Sequence, residues 1–228
     1  MVKKKKKRLK IGFLLLFLGI TIILIVSGVV CFNYFINNNI KNIYILGNNV
    51  LKDKEIITLA GINNYPKTLS ISSNEMERKI KVNPFIKEVN VSKSIPNVVT
   101  IDVVEYELLF YDDINKFIVL ESNKQIPNLN EYNIPILNNE IKDNKTYDKL
   151  CDKLLLINND IKNQISEIVY SPTNVDNERF IFYMNDTNEV YITLDKIEIV
   201  NEYLSIIEVF NNKRGRVYLD AGKYFEEY

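Results

Sequence analysis

Few residues in this chain have the types and spacing that chemistry needs. Its 228 residues include no histidine and two cysteines, so the commonest general base and the commonest metal ligand are both missing. Cys151 therefore has no imidazole to draw off its proton. No serine is followed three positions later by lysine, which removes the Ser-x-x-Lys acyl-transfer pair. Asp112-Asp113 and Glu226-Glu227 are adjacent carboxylates, but neighbours in extended chain point to opposite faces and cannot converge on one substrate atom. These residues argue against an enzyme, and no cofactor or metal ligand set is expected from them.

The elements that carry the residues begin with Ile11 to Ile36, an uncharged apolar run. About 20 apolar residues cross a hydrocarbon core of roughly 30 Å, so this run is read as a transmembrane helix. Residues 1–10 ahead of it hold Lys3 to Lys7, Arg8 and Lys10 with no acid, which by the positive-inside bias places the N-terminus in the cytoplasm and the C-terminus outside. A cleaved signal peptide would have an apolar core of roughly 7–15 residues followed by small residues. Here the apolar core is longer and runs into Asn33, Tyr34, Phe35 and three asparagines. Cys31 lies in the span and Cys151 beyond it, so no disulfide framework is expected.

The whole chain has 29 basic and 29 acidic residues. Seven of the basic ones precede the span, so the part beyond it carries 22 against 29, a net charge of −7. That balance argues against nucleic acid and anionic lipid headgroups as ligands of the exterior part.

Ile40 to Leu46 alternates as a strand and stops at Gly47-Asn48. Asp53 and Glu55 suit the first turn of a short helix that Gly61 closes. Ser72-x-x-Glu75 is a capping box for a second helix with Met76 and Ile80 on one face, and Asn83-Pro84 ends it. Val89 and Val91 lie in a second strand that turns at Ile95-Pro96-Asn97. Val99, Ile101 and Val103 face one side of a third, ending at Glu105. The order is β-α-α-β-β.

An anchor followed at once by this order resembles the FtsQ/DivIB family of bacterial cell-division proteins, whose first extracytoplasmic unit is a POTRA domain. The matching residues are Ile43-x-Ile45-x-Gly47-Asn48, Asn83-Pro84-x-Ile86-x-x-Val89-x-Val91, Pro96-Asn97 and Ile101-x-Val103-x-Glu105. Where the family often has Arg and Pro after that glutamate, this chain has Tyr106, Glu107 and Leu108. The expected domains are a basic tail over 1–10, the span over 11–36, a POTRA domain over 37–107 and a mostly antiparallel β domain with packed helices over 108–228, an α+β chain overall.

In the last domain, 108–113 and 116–121 read as a hairpin. Residues 147–161 read as a helix, 165–171, 179–184 and 189–193 as strands. Ile199, Tyr203, Ile206 and Phe210 are spaced as one face of a helix over 197–210. Gly215-x-Val217-Tyr218-Leu219-Asp220 also resembles the family, which implies a non-enzymatic scaffold linking division proteins to septal peptidoglycan synthesis. The implied partners are FtsL-type and DivIC-type single-span proteins, and the implied location is the membrane at the septum. The expected docking residues are Arg216, Val217, Tyr218 and Leu219 on a last, edge strand, with Tyr224 and Phe225 beyond it. Two rival readings stand beside it: a ligand- or glycan-sensing ectodomain, which would need a concave aromatic site, and a membrane-anchored enzyme with an acid-only site.

Overall fold

The computed structural model describes residues 11–36, 38–94, 97–128, 132–211 and 213–228. The basic tail over 1–10, and Ile95 and Pro96 of the turn before the third strand, lie outside the described residues. The first helix, α1 (Ile11–Ile36), contains a 24-residue stretch, Ile11–Tyr34, of mean hydropathy 2.9 with none of it buried. It is long and apolar enough to cross a membrane. Its Thr21 and Ser27 hydroxyls are satisfied within the helix, Thr21 donating to the Leu18 carbonyl at 2.8 Å and Ser27 to that of Leu24 at 3.0 Å. In hydrocarbon no water would do this for them.

The chain divides into two compact units, Met1–Glu105 and Tyr106–Tyr228. In the first, β1 (Asn42–Leu46), α2 (Asp53–Ala60), α3 (Ser73–Lys81), β2 (Ile86–Ser94) and β3 (Val98–Glu105) follow in order. The sheet order is β1-β3-β2, with β1 parallel and β2 antiparallel to β3. Ile56 and Ala60 of α2 and Met76 and Ile80 of α3 are buried with Val91, Val99, Ile101 and Val103, forming one apolar layer between helices and sheet.

Local chemistry fixes these elements. The Ser72 hydroxyl accepts from the Glu75 N–H at 3.1 Å and opens α3. Gly61 sits at φ 74°, and its N–H closes α2 on the Thr58 carbonyl. Gly47 (φ 81°) passes so near β3 that a Cβ there would lie 2.1 Å from the Val103 carbonyl oxygen. The chain just after Gly47 is held by Glu105, whose carboxylate accepts from the N–H groups of Asn49, Val50 and Leu51 at 2.7, 2.6 and 2.9 Å.

The second unit is built on one nine-stranded sheet of order β12-β11-β10-β9-β8-β7-β4-β5-β6. In chain order the strands are β4 (Leu108–Asp112), β5 (Phe117–Leu120), β6 (Lys124–Pro127), β7 (Ile136–Leu137), β8 (Ile165–Tyr170), β9 (Arg179–Met184), β10 (Glu189–Thr193), β11 (Gly215–Tyr218) and β12 (Tyr224–Glu227). Most neighbours are antiparallel; β4 with β7, β7 with β8 and β10 with β11 are parallel. Phe110, Ile168, Phe180, Phe182, Val190 and Ile192 are buried with the helices α4 (Asn144–Leu154), α5 (Asn159–Lys162) and α6 (Tyr203–Val209).

Two expectations about helices change. The segment expected as one helix over 147–161 starts earlier, capped by Asp143 accepting from Thr146, and ends at Leu154 before the separate turn of α5. The Asn158 N–H that the break frees donates to the Asn201 side chain at 2.7 Å. The segment expected as an α-helix over 197–210 is a 3-10 helix over Leu194–Glu202 that becomes α-helical only at Tyr203. Its buried face is Leu194, Ile197, Val200 and Tyr203, each three residues from the last, because a 3-10 helix has three residues per turn. Ile199, Ile206 and Phe210 are only partly buried.

Candidate functional site: the C-terminal sheet edge

The groups with catalytic potential in the sequence serve the fold. Asp112 is buried and its carboxylate accepts from the N–H groups of Ile114 and Asn115, from the Asn115 amide and from the Tyr147 hydroxyl at 3.3 Å. Asp113 pairs instead with Lys116 at 2.7 Å. The Cys151 thiol is in the core, and burial, helped by the charges of Asp148 and Asp152, pushes its pKa up to about 12. Among the described residues no cluster of three or more His, Cys, Asp or Glu side chains could hold a metal. A cleft of about 410 Å³ near Asp112 is lined mainly by polar groups such as Asn115, Asn123, Gln125 and Asp148. Its aromatic lining residue, Tyr147, packs edge-on against Phe110 with centroids 5.9 Å apart, which leaves it a poor platform for a sugar ring.

The end of the nine-stranded sheet is different. Arg216 to Leu219 is not the edge: β11 lies between β10 and β12, parallel to one and antiparallel to the other. The chain turns after Leu219 and comes back as β12, which takes the edge position. Val217 and Leu219 are 0 and 1 % exposed and belong to the core. They are therefore withdrawn as side-chain contacts. Tyr218, Arg216 and Tyr224 lie together on the other face.

On that face, Tyr191, Tyr218 and Tyr224 are in register on β10, β11 and β12. Tyr218 stacks on both neighbours, at 4.7 Å from Tyr191 and 4.4 Å from Tyr224, with planes within 14° and 11°. Arg179 covers Tyr191 at 4.6 Å and pairs with Asp220 at 2.6 Å. Tyr224 is 50 % exposed. The adjacent row is charged: Glu189, Arg216 and Glu226 are also in register, with Arg216 3.3 Å from Glu189 and 3.6 Å from Glu226. The Tyr218 hydroxyl donates to Glu226 at 2.9 Å, and this bond, then burial, raises its pKa. Burial pushes the Glu189 carboxyl up, but hydrogen bonds from Tyr191 and Tyr228 and the Arg216 charge outweigh it, and its pKa falls.

Phe225 faces the opposite way, partly buried against the core and stacked on Phe210 at 4.7 Å. The hairpin is pinned at its base by Gly215, whose N–H donates to the Asn188 side chain at 2.7 Å. Asn188 donates to the Tyr203 hydroxyl, which donates to Asp186 at 2.6 Å. Burial, then the bond to Asp186, raises the Tyr203 pKa. This buried chain ties the β9–β10 turn, α6 and β11 together.

The sequence matches the "POTRA domain, FtsQ-type" family over residues 38–106. Cell division protein DivIB of Bacillus subtilis (strain 168) is 31% identical over 234 residues, covering 99% of this chain and 86% of its own length. This chain belongs to the DivIB family. DivIB of Listeria monocytogenes is 29% identical over 100% of the chain and 86% of its own length, and DivIB of Clostridium botulinum 32% over 86% and 80%. The solved major extracytoplasmic domain of DivIB from Geobacillus stearothermophilus covers 47% of the chain and 96% of its own, with 23% identity and a TM-score of 0.39.

Of the six residues expected to meet a partner in this DivIB-family chain, the structure gathers Arg216, Tyr218 and Tyr224 on one face beside the edge. It sends Val217, Leu219 and Phe225 to the other. Tyr191, Glu189 and Glu226 join the first group and were not singled out from the sequence. The signal for Tyr191 and Glu189 was the alternating E-V-Y-I-T run, but which strand it would neighbour is not a local property.

Proposed function

We propose that this chain is a non-enzymatic scaffold of the division machinery, held in the membrane by α1 with its C-terminus outside and concentrated at the septum. It links FtsL-type and DivIC-type single-span proteins to septal peptidoglycan synthesis by protein contacts, with the partner's strand adding to β12. Family membership supports the division role. The observation that carries the docking is that β12 ends the nine-stranded sheet and presents Tyr224 half-exposed beside it. An edge strand offers unpaired N–H and C=O groups to an incoming strand, and exposed aromatics are the residues on which interfaces concentrate their affinity.

The test is a pull-down of the DivIC-type partner by the full chain and by a Glu227→Pro variant, with thermal melts of both. Proline at an outward-bonding edge position removes a donor without touching the β11 ladder. Lost binding with an unchanged melt supports the docking; retained binding overturns it. Fluorescent fusion tests the wider reading: a midcell ring is expected, and a uniform envelope signal counts against a divisome role.

A further inference from the structure

The bonding direction of β12 follows from its neighbours. The Leu219 N–H donates to the Tyr191 carbonyl at 2.8 Å, and the Tyr228 N–H to that of Arg214 at 3.3 Å. Odd-numbered residues of this hairpin's first strand thus bond towards β10 and even-numbered ones towards β12. In an antiparallel ladder the bonded pairs alternate, so Tyr224 and Glu226 bond inward while Phe225 and Glu227 aim their N–H and C=O groups away from the sheet. A strand added there by the docking proposed above meets Tyr224 and Glu226 on one face with only Phe225 between them.

Both rows on that face have a rule that the next strand would continue. The aromatic row, Tyr191-Tyr218-Tyr224, ends with one ring face of Tyr224 stacked on Tyr218 and the side chain half-exposed. The charged row, Glu189-Arg216-Glu226, alternates negative, positive, negative. Like charges directly opposite on adjacent strands are destabilising, and opposite charges and aromatic pairs are favourable. The cations flanking the hairpin are already engaged, Lys213 with Glu227 at 2.6 Å and Lys223 with Glu202 at 2.5 Å. Glu226 has one oxygen on the Tyr218 hydroxyl and a side chain 55 % exposed.

We infer that the strand accepted by this edge carries an aromatic residue opposite Tyr224 and a basic residue opposite Glu226, two positions apart, with an apolar residue between them beside Phe225. This rests on the docking reading and adds its side-chain chemistry: Glu226 selects the cation, Tyr224 the aromatic.

Two synthetic strand peptides separate the possibilities, Thr-Arg-Val-Tyr-Val-Arg-Thr and the same peptide with both Arg replaced by Glu; their symmetry makes strand direction immaterial. Each is fluorescently labelled and titrated against the full chain in nanodiscs, as wild type, Glu226→Lys and Glu227→Pro. The wild type should prefer the Arg peptide by roughly threefold or more, Glu226→Lys should invert the preference, and Glu227→Pro should bind neither. If both peptides bind wild type equally and Glu227→Pro loses both, the edge docks strands but the register chemistry is wrong. Equal loss of both peptides and of the DivIC-type partner from the wild type removes the docking reading and this inference with it. Preference for the Arg peptide that persists in Glu226→Lys also overturns the inference, since another acid would then be the selector.

Discussion

Gly215 packs against the backbone of Glu226: a Cβ on Gly215 would stand 2.1 Å from the Glu226 carbonyl oxygen and 2.7 Å from the Phe225 ring. The contact is with backbone of the facing strand, which cannot rotate away as a flexible side chain could. The edge strand therefore depends on a residue without a side chain one strand in from the edge of the sheet.

Gly215→Ala should peel β12 from β11 and leave the rest of the unit folded. Overpacking of this kind costs about 1–3 kcal/mol, confined here to the outer hairpin. Hydrogen exchange should accelerate at the Tyr224, Glu226 and Tyr228 amides while the β9 amides keep their protection. Unchanged exchange at β12 would mean that the strand accommodates the methyl by shifting as a body.

Glu105→Ala should loosen the turn after Gly47. It removes the acceptor of three backbone N–H groups, of which those of Val50 and Leu51 are part-buried. Hydrogen bonds to a charged group contribute about 1.5–3 kcal/mol each net of exchange with water, and less where water can reach them, so a total loss of about 2–3 kcal/mol is expected in urea unfolding of the first unit. Glu105→Gln keeps one carbonyl oxygen and should fall between. A loss below the error of the measurement for both variants would show that water replaces the carboxylate without cost.

How legible these features were depended on whether their cause is local. The α2 and α3 boundaries could be read because Ser72 and Gly61 cap helices by contacts within a few residues; the Glu75 side chain, expected to close a capping box, pairs with Lys79 instead. The anchor could be read from length and charge alone. β12 could not: Tyr-Phe-Glu-Glu lacks the alternation of a half-buried strand, and it is extended because β11 lies beside it. β7 is two residues long, and its parallel pairing with both β4 and β8 is set by segments about 25 to 30 residues away in sequence. Glu105 was visible as the end of a strand, but its hold on Asn49 to Leu51, more than 50 residues back, is a tertiary fact.

Cys151 should be unreactive in the folded chain. Its thiol is 1 % exposed and its pKa is raised to about 12, against about 8.5 in the unfolded chain. The folded state thus binds the proton more tightly, so this group's contribution to stability is complete below about pH 8 and fades as pH rises from there towards the folded value. Iodoacetamide at pH 8 should label Cys151 only when urea unfolds the unit, and Cys151→Ala should flatten part of the alkaline loss of stability. Rapid labelling at zero urea would place the thiol at an accessible surface.

The 3-10 segment offers a direct test of period. An α-helical face over 197–210 would put Ile199 at the centre of the buried stripe, whereas three residues per turn put Ile197 and Val200 there. Ile197→Ala removes a fully buried side chain from the cluster formed with Val190, Ile192 and Tyr203 and should cost about 2–5 kcal/mol. Ile199→Ala, at a partly exposed position, should cost less than half as much. Urea midpoints of the two variants decide it, and the comparison is internal because the same atoms are deleted two residues apart. Equal losses, or a larger one at Ile199, would mean that the segment packs with an α-helical period in solution.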